Sequence, residues 1–122
     1  MIIGKVKGAE ARIRLRVIGL RGREREIEAV IDTGYTAALT LPREVITALA
    51  IPWRGSVRAI LADGEERLFD LYEANVVWDH RQRRVPAFEA ATVPLVGMAL
   101  LDGHEFMMQV KAGGRVTIKR IP

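Results

Sequence analysis

Apolar and polar positions alternate along much of this chain with a period of two. Between Ala11 and Gly19, Ile13, Leu15 and Val17 alternate with Arg12, Arg14 and Arg16. That pattern predicts a strand with one buried and one solvated face. Leu20-Arg21-Gly22-Arg23 reads as a turn. Glu24–Ile31 then resumes the alternation, with Ile27, Ala29 and Ile31 on one face and Glu24, Glu26 and Glu28 on the other. Glutamates lying across from arginines predict a hairpin whose solvated faces pair by opposite charge.

Asp32-Thr33-Gly34 interrupts this strand, and Ala38–Leu41 forms a short apolar strand after it. From Pro42 to Ala50 the spacing changes: Val45, Ile46 and Leu49 share a helical face, Pro42 suits a first turn and Pro52 closes the segment. Val57–Leu61 and Arg67–Tyr72 flank Ala62-Asp63-Gly64-Glu65, and Asp-Gly between strands predicts a hairpin. A second hairpin is expected from Val76-Val77-Trp78 through a polar turn at Asp79–Arg83 to Val85–Ala90. Val93–Gly97 is a short apolar run and Met98–Leu101 one helical turn. Phe106–Val110 and Val116–Ile121 are expected to be strands joined across Ala112-Gly113-Gly114. With no repeat, linker or shift in composition, residues 1–122 read as a single mostly-β domain with one or two short helices.

Composition narrows the chemistry. Hydrophobic residues make up 49% of the chain, enough for a packed core rather than disorder. The absence of cysteine excludes disulfides, thiolate metal sites and cysteine nucleophiles together. His80 and His104, far apart, do not suggest a zinc site, and no cofactor is expected. No apolar run approaches the roughly 20 residues of a membrane span. Met1-Ile2-Ile3-Gly4-Lys5 turns polar too soon for a signal peptide. The expectation is a soluble, cytoplasmic protein with no membrane partner. A net charge of +4 raises the question of nucleic acid. Arg12, Arg14 and Arg16 are accounted for as one strand face, while Arg81, Arg83 and Arg84 crowd a turn. Neither cluster is interleaved with aromatic residues that could stack bases, so nucleic-acid binding is disfavoured. Trp53 and Trp78 read as core or interface anchors, and the two histidines as solvated.

The segment from Ala29 to Pro42 carries the chemistry. An apolar strand delivers the Asp32 carboxylate into a tight loop, and a second apolar strand leaves it. A carboxylate among so much hydrophobic sequence is costly to bury unless hydrogen bonds hold it or it shares a proton. The Thr33 hydroxyl can fix the loop, and Gly34 lets the backbone approach and donate its N–H to the carboxylate. An ordinary Asp-x-Gly turn after a strand would look the same over three residues, so the wider order of motifs decides.

Asp32-Thr33-Gly34 resembles the catalytic signature of the aspartic proteases. Pro94-Leu95-Val96-Gly97-Met98-Ala99-Leu100-Leu101 is similar to that family's second motif, two apolar residues and a glycine ahead of a short helix. Between them, the hairpin at Ala62, Asp63, Gly64 and Glu65 stands where the family has its flap. The ordered set spans nearly the whole chain and resembles one subunit of the small retropepsin-like (clan AA) proteases of prokaryotes. There are two departures from the pattern. Tyr35 stands where many members have Ala or Ser. Thr36 and Met98 stand where viral members carry an interface Asp–Arg pair, so both partners of that pair are absent together.

The resemblance implies an all-β, acid-protease subunit built as a closed β-barrel and an obligate homodimer. It implies Asp32 as the catalytic aspartate, Thr33 and Gly34 as its loop support, Leu95, Val96 and Gly97 as the strand behind it, and Ala62–Glu65 as the flap. Only Asp32 is followed by Thr-Gly; Asp63, Asp70, Asp79 and Asp102 are not. The second aspartate of the dyad must therefore come from a second copy. The family also intertwines terminal strands at its interface, which would give Met1–Lys7 and Val116–Ile121 that role. The expected substrate is an extended peptide or unfolded protein. The competing reading is a catalytically silent protease fold serving for dimerisation or peptide binding.

Overall fold

A computed structural model describes residues 1–122. β2 (Glu10–Ile18) and β3 (Glu24–Ile31) form the charge-paired hairpin, antiparallel with Arg14 opposite Glu28 and Arg16 opposite Glu26. The ion pairs run one step diagonal to that register: Arg12–Glu28 at 2.6 Å, Arg14–Glu26 at 3.3 Å and Arg16–Glu24 at 3.6 Å. Strand twist brings diagonal neighbours within reach of long side chains. Exposed pairs of this kind add little stability one by one. Their contribution is to register, because a one-residue slip would carry Ile13, Leu15 and Val17 out of the core they share with Ile27, Ala29 and Ile31.

The remaining elements are β1 (Ile2–Lys7), β4 (Leu39–Leu41), α1 (Arg43–Ala48), β5 (Trp53–Ile60), β6 (Glu66–Trp78), β7 (Arg81–Glu89), β8 (Leu95–Val96), α2 (Met98–Leu101), β9 (His104–Met108) and β10 (Arg115–Arg120). All strands lie in one sheet, ordered β5-β6-β7-β4-β8-β3-β2-β1-β10-β9. A further ladder pairs Arg16–Ile18 of β2 with Asn75–Val77 of β6. The sheet is thereby joined back on itself, leaving β5 and β9 as its edges. Inside lie Trp78, Ile13, Leu15, Leu39, Leu41, Leu100 and Ile118, all essentially inaccessible to water.

Most expected elements form, with informative differences. Arg67–Tyr72 and Val76–Trp78 are parts of one 13-residue strand, β6. Tyr72, Ala74, Val76 and Trp78 keep a single inward parity, which carries the ladder through the polar residues Glu73 and Asn75. The following turn tightens to Asp79-His80, with φ of 50° and 68°, the left-handed pair a two-residue hairpin needs. The N-terminal amine of Met1 pairs with the Asp79 carboxylate and holds its pKa below the usual range, through the hydrogen bond first. Pro42 precedes α1 in an extended conformation instead of opening its first turn, while Val45, Ile46 and Leu49 are buried as their spacing requires.

His80 is exposed, but His104 is not solvated as expected. The buried Trp78 indole N–H donates to His104 Nε2 at 3.3 Å, and the rings meet edge to face. The Asp102 carbonyl lies 2.9 Å from His104 Nδ1, which assigns the proton to Nδ1 in the neutral ring. β1 is paired on both sides within its own chain, with β10 and with β2.

The Arg12 hydrogen bond holds the Glu28 carboxyl below the usual carboxylate range, reinforced by the nearby positive charge of Arg12 and opposed by desolvation. A depressed acid contributes stability above its unfolded pKa and loses it as pH falls through the folded value. Glu28→Gln is therefore expected to lower the melting temperature at neutral pH. The difference from wild type should shrink below about pH 4, read by thermal unfolding across pH.

Candidate active site

β3 ends at the buried Ile31, and Asp32 follows at the point where the chain turns into solvent. The Asp32 N–H is still held by the sheet, donating to the Val96 carbonyl at 2.9 Å. Its half-buried carboxylate accepts the Gly34 N–H on Oδ1 at 3.0 Å, and the Tyr35 N–H closes the turn on the Asp32 carbonyl at 3.1 Å. A Cβ on Gly34 would sit 3.3 Å from Oδ1, so a side chain there would crowd the group that the backbone N–H serves. Thr33 and Gly34 are exposed, and no protein group donates to Oδ2 of Asp32. The loop thus presents one oxygen fixed and one free.

The second motif is built into the back of this loop. β8 is inserted between β3 and β4: parallel to β3, with Ile31 opposite Val96, and antiparallel to β4, with Leu39 opposite Val96. Beyond it, the Gly97, Met98 and Ala99 N–H groups donate to the carbonyls of Ala38 (3.0 Å), Tyr35 (2.7 Å) and Ala37 (3.2 Å). The first amides of a helix have no partners within it, and here the loop after Asp32 supplies them. Gly97 is required by this approach, since a Cβ would fall 2.2 Å from the Ala37 carbonyl oxygen.

Tyr35, the residue that departs from the resembled pattern, fills the space Gly97 leaves open. Its ring comes within 2.6 Å of where a Gly97 Cβ would be, and its hydroxyl donates to the Leu39 carbonyl at 3.3 Å. Burial raises the phenol pKa, a hydrogen bond with buried Thr40 opposes the rise, and the Asp32 charge adds to it. Sequence reasoning registered this position only as an oversized neighbour; its partners become visible only in three dimensions.

The hairpin expected as a flap forms between β5 and β6. Its turn is closed by Gly64 N–H to Leu61 carbonyl (2.9 Å) and Leu61 N–H to Glu65 carbonyl (2.8 Å). Asp63 Oδ1 accepts the Glu65 N–H at 2.9 Å, and Gly64 takes the left-handed conformation at φ 86°. Ala62, Asp63, Gly64 and Glu65 are all exposed, and β5 pairs with no strand but β6. Val57, Ile60 and Leu68 leave large apolar surfaces uncovered along the hairpin. Asp32–Gly34 and Leu95–Gly97 are thus brought together, whereas no hydrogen bond or ion pair joins the hairpin tip to them. Lower on the hairpin, Asp70 Oδ1 accepts from Trp53 Nε1 (3.2 Å) and Ser56 Oγ (3.3 Å).

Two clefts of the chain lie away from the Asp32 loop. The larger, about 520 Å³, runs between β1 and β2 and is lined by Lys5, Lys7, Arg12, Arg14 and Glu28 among others. The smaller, about 350 Å³, lies beside Glu73, Arg84 and Pro86. No group of three or more His, Cys, Asp or Glu side chains gathers to hold a metal ion.

Among solved structures, the chain is similar to the crystal structure of a retropepsin-like aspartic protease from Rickettsia conorii. The match has a TM-score of 0.56 over 100% of this chain and 91% of that one, at 13% sequence identity. No family model and no curated protein matches the sequence. The fold is therefore retropepsin-like, mostly β with two short helices.

Gly97→Ala is expected to destabilise the domain by about 2 kcal/mol or more, because the neighbours that must move are backbone carbonyls. Chemical denaturation reads this directly. Gly34→Ala should cost less stability, because the neighbour that must give way is the end of the Asp32 side chain, by a few tenths of an ångström, and not a backbone carbonyl.

Proposed function

We propose that this protein is an aspartic endopeptidase that works as a homodimer, each subunit supplying one Asp32 to a shared dyad. The observation that carries the reading is the Asp32-Thr33-Gly34 loop, one carboxylate oxygen held by the Gly34 N–H and the other free, backed by Val96-Gly97 in a retropepsin-like fold.

A single chain offers half of such a site. Asp63 is engaged in its own turn, Asp70 with Trp53 and Ser56, and Asp79 with the N-terminus. A second copy related by a two-fold axis would bring its own Asp32 to face the first, with the exposed Thr33 and Gly34 at the contact. Because β1 is occupied on both sides, the strands left free to extend the sheet into a second copy are the edges, β5 and β9. Two close carboxylates cannot both ionise, so the pair shares one proton and titrates in two coupled steps. The ionised member takes a proton from a water held between them, and the protonated member donates toward the scissile carbonyl as the water adds. An extended peptide would lie along the cleft by strand-like pairing, under Ala62–Glu65. The chemistry calls for no metal or cofactor.

The test is cleavage of an unfolded protein at mildly acidic pH by wild type and Asp32→Asn at matched concentration. Wild type should cut, and the folded variant should be silent. Specific activity should also fall on dilution through the dimer dissociation constant; activity from a demonstrated monomer would sink the shared dyad. A dimeric wild type that cuts nothing would favour a silent protease fold used for dimerisation or peptide binding.

A further inference from the structure

We propose that Tyr35 is the positioning residue of the Asp32 site, its phenol tethering the loop to β4 so that the Gly34 N–H stays aimed at Oδ1. This rests on the protease reading for its kinetic consequence and on geometry for the rest.

Tyr35 spends each of its three polar groups on a different part of the structure. Its N–H closes the turn on the Asp32 carbonyl, its carbonyl accepts the Met98 N–H of α2 at 2.7 Å, and its hydroxyl donates to the Leu39 carbonyl of β4. The buried Thr40 side chain, next along β4, acts on the same phenol and opposes the rise in its pKa. A small residue at this position would keep the first two bonds and lose the third. The neighbour so anchored is Gly34, the residue with the greatest backbone freedom and the only protein donor to the Asp32 carboxylate. No Lys, Arg or His makes an ion pair or hydrogen bond with either Asp32 or Tyr35. The orientation of one amide therefore decides how well the carboxylate charge is held.

The ring is placed to do this without entering the reaction. It lies against Gly97, on the side of the loop backed by β8. Burial and the neighbouring Asp32 charge both favour its protonated form, so it remains a neutral anchor and not a third acid. The second-motif glycine thus serves two ends: it admits the loop carbonyls and it makes room for the anchor.

Tyr35→Phe keeps the ring and removes the tether. A less constrained Gly34 N–H makes a weaker hydrogen bond to Oδ1, so its amide proton resonance should move upfield. This is read by amide NMR on the folded protein. Turnover of an unfolded protein substrate should fall roughly fivefold with KM within about twofold, the signature of a lost transition-state contact rather than lost binding. Thr40→Val, close in shape but without the hydroxyl, should move both readouts the same way by less. An unchanged Gly34 amide resonance in folded Tyr35→Phe overturns the proposal, whatever happens to its melting temperature. Because that resonance needs no turnover, it decides the role of Tyr35 even if the wild type proves unable to cut, which would instead overturn the protease reading.

Discussion

The insertion of β8 between β3 and β4 is the contact on which the rest of the site depends. Two residues, Leu95 and Val96, pair parallel with one strand and antiparallel with the other, holding together the two arms that enter and leave the Asp32 loop. Three successive amides from Gly97 to Ala99 then bind the loop from behind. A loop between two strands is ordinarily where a protein is most mobile. Here it is hydrogen-bonded at nearly every peptide, which is how a surface carboxylate can be held in one orientation without being buried.

That arrangement also explains why motifs far apart in sequence act as a unit. The strand before Asp32 ends in Val30 and Ile31, whose backbone partners are Pro94, Leu95 and Val96. The close approach needs a residue without a side chain at Gly97. The site is thus assembled from two short segments about 60 residues apart in sequence, joined only through non-local pairing of the sheet.

Much of the fold was legible because it is written in period two. The charge-paired hairpin, the helix face of Val45, Ile46 and Leu49, and the Asp63-Gly64 turn follow from local spacing. The Asp32 loop was legible because apolar flanks, a carboxylate and a glycine occur together in one stretch. What escaped has tertiary causes. β6 runs through Glu73 and Asn75 because Tyr72, Ala74 and Val76 hold its parity, overriding a polar interruption. His104 reads as a loop residue until Trp78, distant in sequence, presents an indole N–H that needs an acceptor. Tyr35 looks misplaced until its ring is seen packed against Gly97, a residue more than 60 positions away in sequence.

The placement of β1 joins the beginning of the chain to its end. With ladders to β2 and to β10, this strand closes the terminal part of the sheet using only its own chain. Val6, Val116 and Ile118 are buried beneath these ladders. The two ends of the chain are thus laced to each other, and loosening either one would uncover what the other protects.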